Sequence, residues 1–355
     1  MKYRLLLVWL LFSLLLASCG ASAPSALTTA PAAPIVATQA PTASSVPTEA
    51  PTATLAPTVA PTATSAKATI APAMPSNPDS VIDSAGRDIR IGEPAKRIIS
   101  LAPSTTEIAF AIGAGAAVVG VDAFSDYPAE AKQIAKIGNP DGSYNTEQIV
   151  ALKPDLVLAG GITPLSTVQQ LAELGLKVAV IGSAETTLDS IFADIELVGK
   201  LTGKQKESLT VTEDMRKRTD AIKASAVKAT TKPKVYWELD ATDASKPFTV
   251  GPGNFINNII ELAGGENIFA AASSPFAQVS TEQIVAANPD VIILSDAAYG
   301  ITPESVGQRP GWANIAAVKN KRVMPIDDNL VSRPGPRIVE GLEVALYLIH
   351  PELGR

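Results

Sequence analysis

One histidine and one cysteine are all that 355 residues hold of either type, and aromatic side chains make up only 5% of the chain. A lone His350 and a lone Cys19 cannot build a His-rich zinc site, nor a Ser–His or Cys–His nucleophile pair. Without a second cysteine an intrachain disulfide is excluded, even in an oxidising compartment. Positive charge is also scarce. The 29 lysines and arginines are outnumbered by 35 aspartates and glutamates, leaving −6 with no basic cluster. Such a balance speaks against nucleic acid or anionic lipid as partners and suits docking onto a basic protein surface. A phosphate-cradling loop is missing too. Gly113-Ala114-Gly115 follows a predicted helix instead of a strand, and Val118 stands where a third glycine belongs. His350, just before Pro351, reads as a helix-terminal cation and nothing more.

What is present begins with an apolar run at 5–16, preceded by Lys2 and Arg4 and followed by the small residues Ala17 and Ser18. It is short for a bilayer span and has a basic front end, so residues 1–18 read as a secretory signal peptide. Leu16-Ala17-Ser18-Cys19 resembles the lipobox of bacterial lipoproteins. The resemblance implies that Cys19 is acylated and holds the protein to a membrane from outside the cytoplasm. Without residues 1–18, which carry two cations and no acid, the net charge is −8. Residues 19–78 then turn to alanine, proline, threonine and serine. Almost nothing there can pack, so this stretch is expected to be a disordered tether reaching about 40 Å or more.

The folded part is organised around a segment that occurs twice. NTEQIVALKPDLVLA at 145–159 and STEQIVAANPDVIIL at 280–294 each start on an N-cap residue, Asn145 or Ser280. Gln148 or Gln283 follows at capping-box spacing, then Pro-Asp, then an apolar run that reads as a buried parallel strand. Neither copy can bury its own apolar face. Two α/β lobes carrying one copy each are therefore expected. Glu147 and Glu282 occupy the same first-turn position, 135 residues apart.

The remaining elements fit that plan. A strand at 98–101, a helix opened by Pro103 with Ser104 and Glu107 at capping-box spacing, a strand at 118–121, the first repeat, a helix at 168–174 and a strand at 178–181 alternate as a parallel sheet requires. A helix at 188–201 ends at Thr202-Gly203. Residues 204–228 form a long, mostly polar helix without Gly or Pro, which reads as a bridge. Beyond it come a strand at 234–239, a loop at 248–253, a helix at 254–262, the second repeat, a helix at 312–318, a strand at 323–326 and a final helix at 336–349. The expected division is an N-terminal lobe at 79–203, a bridging helix at 204–229 and a C-terminal lobe at 230–355.

Ligands of open α/β sheets bind beyond the carboxyl ends of the strands. Phe124, Tyr127, Tyr144 and Phe276 fall in loops of that kind, and Trp237 lies near the end of its strand. Arg333 and Arg337, in SRPGPR at 332–337, offer charge to an anionic group. Set against this, each aromatic has an ordinary role over a neighbouring core, and each arginine one at the surface or in a first helical turn.

IISLAPSTTEIAFAIGA, the VGVDAFSDYP loop, both repeats, FTVGPGNFINNIIELAGGENIF and SRPGPR together resemble the substrate-binding proteins of ABC importers for cobalamin, ferric siderophores and haem. The likeness covers nearly all of residues 81–351. It implies two Rossmann-like lobes with parallel sheets, joined by one long helix, and a small-molecule ligand in the cleft between them. Phe124 and Phe276 match the aromatics of the cobalamin binders. With Tyr127, Tyr144, Trp237, Asn329 and Arg333 they form the expected ligand set. Glu147 and Glu282 match the glutamates that dock on basic pockets of a dimeric ABC permease. Asp141 and Gly160 stand where cobalamin binders carry tryptophans. The expectation is a monomeric, lipid-anchored binding protein, without cofactor or enzymatic activity, that captures a corrinoid. A ferric siderophore or haem is the alternative ligand; a transferase- or reductase-like enzyme and a surface adhesion module are the alternative classes.

Overall fold

A computed structural model describes residues 77–183 and 186–354; the signal at 1–18, Cys19 and nearly all of the tether lie outside the described residues. The described part starts with a hairpin, β1 (Ser80–Ile82) and β2 (Asp88–Arg90). The first lobe follows as β3 (Ile98–Ser100), α1 (Pro103–Ala111), β4 (Val118–Val121), α2 (Thr146–Ala151), β5 (Leu156–Gly160), α3 (Leu165–Glu173), β6 (Val178–Ile181) and α4 (Leu188–Thr202). After α5 (Gln205–Ala226), the second lobe contains β7 (Lys234–Asp240), β8 (Phe248–Val250), α6 (Phe255–Leu262), β9 (Glu266–Asn267), β10 (Phe276–Gln278), α7 (Thr281–Ala287) and β11 (Val291–Leu294). It closes with α8 (Pro303–Gly307), α9 (Ala316–Lys319), β12 (Val323–Pro325), α10 (Asp328–Val331) and α11 (Ile338–Ile349).

The first sheet runs β4-β3-β5-β6 and is parallel throughout. The second departs from the expected parallel plan. Its β9, β7, β11 and β12 are parallel, but β8 pairs antiparallel to β7, and β10 antiparallel to β8. The segment read as a loop at 248–253 thus begins with a strand, too short to show alternation before Gly251-Pro252-Gly253 ends it. The helix expected at 312–318 is a 3-10 turn, Trp312–Asn314, followed by the one-turn α9. The hairpin β1–β2 has no counterpart among the sequence expectations.

Both repeats fold alike. Asn145 and Ser280 accept the backbone N–H of Gln148 and Gln283, and only the second copy returns the bond from its glutamine to complete the box. Lys153 and Asn288, at matching positions after the two helices, take φ of 49° and 48°. The Asp of each Pro-Asp clamps the strand beside it. Asp155 accepts from the backbone of Lys96 and Arg97, and Asp290 from that of Lys234. Each clamp fixes how a repeat strand registers with the first strand of its lobe.

Strand residues alternate between layers, because both faces of each sheet are covered. Ile99, Val157 and Val180 face one core in the first lobe, while Tyr236, Ile292 and Leu294 face another in the second. The opposite faces, including Ile98 and Leu158 of one sheet and Val235 and Ile293 of the other, belong to a single continuous apolar layer. The lobes therefore share a core as well as a connecting helix. Along α5 the buried residues are Ser208, Thr212, Met215, Thr219 and Ile222, a narrow stripe at spacings of three and four. Arg216 ties this helix to Glu196 of α4 at 3.1 Å, and Arg218 ties it to Glu343 of α11 at 3.0 Å.

Candidate functional site

Two hollows open at the carboxyl ends of the strands. The first-lobe hollow, about 200 Å³, is bounded by Leu101 after β3, Asp122 and Phe124 after β4, Ile162 after β5, and Tyr144 before α2. The second-lobe hollow, about 760 Å³, is bounded by Asp240, Phe248, Phe276, Asp296, Tyr299 and Asp328. This volume lies in the range of small-molecule sites.

In the first lobe, buried hydroxyls hold the aromatic loop in place. Ser100 lies within hydrogen-bonding distance of Thr105 and Thr106, both at 2.7 Å, and Thr106 is the same distance from Ser125. Ser125 donates to Asp122, whose other oxygen accepts the N–H of Phe124 at 2.8 Å. The backbone N–H of Phe124 is held while the residue as a whole remains 55% exposed. Tyr144 donates its hydroxyl to the carbonyl of Leu101 at 2.8 Å, which sets its ring against the same hollow. In the second lobe Phe276 and Phe248 lie on the antiparallel β10–β8 pair, at 51% and 41% exposure, and Tyr299 is 80% exposed.

Phe124, Tyr144 and Phe276 thus line the strand-end hollows as expected. Trp237 does not. It is fully buried on the shared core, and its indole N–H donates to Ser295 at 2.6 Å, because its side chain points to the inner face of β7. Tyr127 is also placed elsewhere. The Arg337 guanidinium lies 3.9 Å over its ring, and both border a different hollow, facing Met215 of α5. Asn329 borders neither strand-end hollow; its amide and backbone N–H both meet Asp327 at 3.0 Å.

Arg333 and Arg337 cross from the second lobe to acids of the first. Arg337 grips both oxygens of Glu107 at 2.8 and 2.6 Å, and Arg333 reaches Glu107 at 3.1 Å and Asp126 at 2.7 Å. Glu107 is 3% exposed. The capping box expected from Ser104 and Glu107 is therefore not formed, and α1 has no side-chain cap. Hydrogen bonding to Glu107 raises the pKa of Arg337 further, so this cation stays charged.

Near the larger hollow is a second buried charge group. Arg309 pairs with the fully buried Glu238 at 2.5 and 2.8 Å and lies 4.7 Å over Trp312. Burial, with the repulsion of Glu238 next in size, pushes Asp296 up to about 6. Sequence reading missed Asp296, Asp240, Phe248 and Tyr299. The strand-end rule that located Phe124 applies equally to Asp240 and Asp296, at the ends of β7 and β11. Among the described residues no Lys, Arg or His borders either hollow. Among the described residues there is no cluster of three or more metal-ligating side chains, and no helix is long and apolar enough to cross a membrane.

Glu147 and Glu282 are exposed in the first turns of α2 and α7. Hydrogen bonding from Ser280, then from its own backbone, lowers the pKa of Glu282.

Comparison with known proteins agrees with this arrangement. A family model described as periplasmic binding protein matches residues 98–330. The ABC transporter substrate-binding lipoprotein YvrC of Bacillus subtilis is 32% identical over 280 residues, 78% of this chain and 86% of that one. A vitamin B12-binding protein of Vibrio parahaemolyticus is 33% identical over 253 residues, 70% and 88% of the two chains. The haem-binding protein RhuT of Roseiflexus superposes with a TM-score of 0.65 at 28% identity, over 73% of this chain and 99% of that one. The chain belongs to the periplasmic binding protein family and is, like these relatives, a substrate-binding component of an ABC importer and not an enzyme.

Proposed function

We propose that the protein captures a corrinoid between its lobes and delivers it to an ABC permease. The observation that carries this reading is the combination of three exposed phenylalanines with an acidic lining that holds no cation among the described residues. Haem presents carboxylates, and many ferric siderophores are anionic. Either would meet Asp122, Asp240, Asp296 and Asp328 without a compensating charge, since Arg333 and Arg337 are held by Glu107. A corrinoid is a bulky conjugated ring bordered by neutral amides, which suits aromatic stacking and carboxylate acceptors together. The 33% identity to a vitamin B12-binding protein supports the same reading.

Residues 79–203 and 230–355 serve as the two ligand-holding lobes, with 204–229 as the bridge. Glu147 and Glu282, exposed at matching positions of the two repeats, dock on basic pockets of a dimeric permease. Cys19 is acylated and, with the segment after it, tethers the monomeric protein to the outer side of a membrane. The lipoprotein name of the Bacillus relative is consistent with that anchor.

Native mass spectrometry of the protein mixed with cyanocobalamin, hemin and ferrichrome tests the ligand. A one-to-one complex with cyanocobalamin, resistant to competition by the other two, is expected. A complex with hemin alone would overturn the reading. One with ferrichrome alone would replace the corrinoid by a neutral iron chelate.

A further inference from the structure

Ser332 borders the larger hollow, and the next residue, Arg333, reaches the loop that bounds the smaller one. Their segment of the second lobe lies against α1 of the first. A Cβ on Gly335 would stand 3.5 Å from the carbonyl oxygen of Ser104 and 3.9 Å from the Cβ of Glu107. Two strand-end hollows on different lobes thus meet through neighbouring residues of one short segment.

The loop after β4 is held from both sides. The first lobe fixes its start. Asp122 accepts the N–H of Phe124 and the hydroxyl of Ser125, and Lys136 donates to the carbonyl of Ser125. The second lobe fixes its far end. Arg333 donates to Asp126 at 2.7 Å and to the carbonyl of Phe124 at 3.5 Å, while Arg337 covers the ring of Tyr127. Phe124 sits between these two holds. Arg337 is committed to both oxygens of Glu107, to which Arg333 gives a single further contact at 3.1 Å. The side chain of Arg333 is 14% exposed and that of Asp126 is 51% exposed, so this arm of the bridge is the one open to solvent.

We propose that Arg333 is a positioning residue for the ligand site, holding Asp126 and the carbonyl of Phe124 from the opposite lobe and so fixing Phe124 at the wall of the first hollow. Arg333 acts through Phe124 and not by contact with the ligand. The inference rests on the proposed reading of Phe124 as a ligand contact. Loss of Arg333 leaves Glu107 bonded twice to Arg337, so the buried carboxylate keeps its partner and the fold survives.

Two measurements test this. Amide hydrogen exchange of the ligand-free protein compares wild type, Arg333→Gln and Asp126→Asn. Both variants are expected to exchange about threefold or more faster at residues 123–127, with α11 unchanged. Calorimetric titration with cyanocobalamin then compares wild type, Arg333→Gln, Phe124→Ala and the double variant. Arg333→Gln should weaken binding about three- to fivefold, and should have no further effect once Phe124 is alanine. Additive losses in that cycle would overturn the proposal, because a direct ligand contact or a general stabilising role predicts them. Wild-type exchange at 123–127 in both variants would overturn it whatever the ligand. Faster exchange in the variants, with no cyanocobalamin bound by wild type, would overturn the corrinoid reading and uphold the hold of Arg333 on the loop.

Discussion

Glu107 of the first lobe and Arg337 of the second, 230 residues apart, are joined by two hydrogen bonds, and Arg333 approaches the same carboxylate from a second direction. An ion pair this shielded is strong only while complete, because either half left alone is a poorly solvated charge. Glu107→Ala is expected to destabilise the fold by about 3 kcal/mol, and replacing Glu107 together with Arg337 by less than the sum of the single changes. Urea denaturation of the four proteins in that cycle checks this; additivity would show that the bridge is not a coupled unit.

The shared apolar layer and the same bridge hold the lobes together at rest. Small-angle X-ray scattering is expected to show little change in the radius of gyration when cyanocobalamin binds. Large compaction would mean that the lobes are hinged despite their common core.

Aromatic substitutions should separate the cleft from the core. Phe124→Ala and Phe276→Ala are expected to weaken cyanocobalamin by about 1–3 kcal/mol with small effects on the melting temperature. Trp237→Phe, deep in the shared core, should reverse that pattern and lower stability while affinity holds. Loss of affinity in Trp237→Phe without loss of stability would return this residue to the ligand set.

Asp194 on α4 is nearly buried, and burial, reinforced by Asp83, raises its pKa to about 6 despite hydrogen bonds from Ser84 and the N–H of Gly182. A raised acid holds its proton in the fold after the unfolded chain has released it, so this group's contribution decreases as pH rises from about 4 through about 6. Asp194→Asn is expected to flatten the pH dependence of the melting temperature across that window and to stabilise the protein above it. A melting curve series with the wild-type slope would assign the pH dependence to other groups.

The docking role of the repeated acid is tested in transport. Glu147→Ala with Glu282→Ala is expected to leave folding and ligand affinity near wild type and to abolish uptake into vesicles carrying the cognate permease. A helix-dipole role alone is worth only about 0.3–1 kcal/mol per site and would not affect transport. Wild-type uptake by the double variant would return both residues to that role.

The sequence by itself determined whatever depends on local order. Apolar runs, cap residues and the 135-residue repeat located α2, β5, α7 and β11 and with them the two-lobed plan. The strand-end rule placed Phe124 and Tyr144 beside a hollow, since position along the chain fixes which end of a parallel strand a loop follows; Phe276, read as a loop residue, instead lies on β10, antiparallel to β8. Only the tertiary structure decided partners. Trp237 near a strand end reads the same whether its face meets a cleft or a core, and the packing of the two sheets chose the core. Glu107 at capping-box spacing reads as a local cap until Arg333 and Arg337 arrive from the other lobe. Asp296 is an ordinary aspartate in sequence and acquires its raised pKa from what surrounds it. Local geometry is written in neighbours along the chain, whereas charge pairing and burial depend on residues hundreds of positions away.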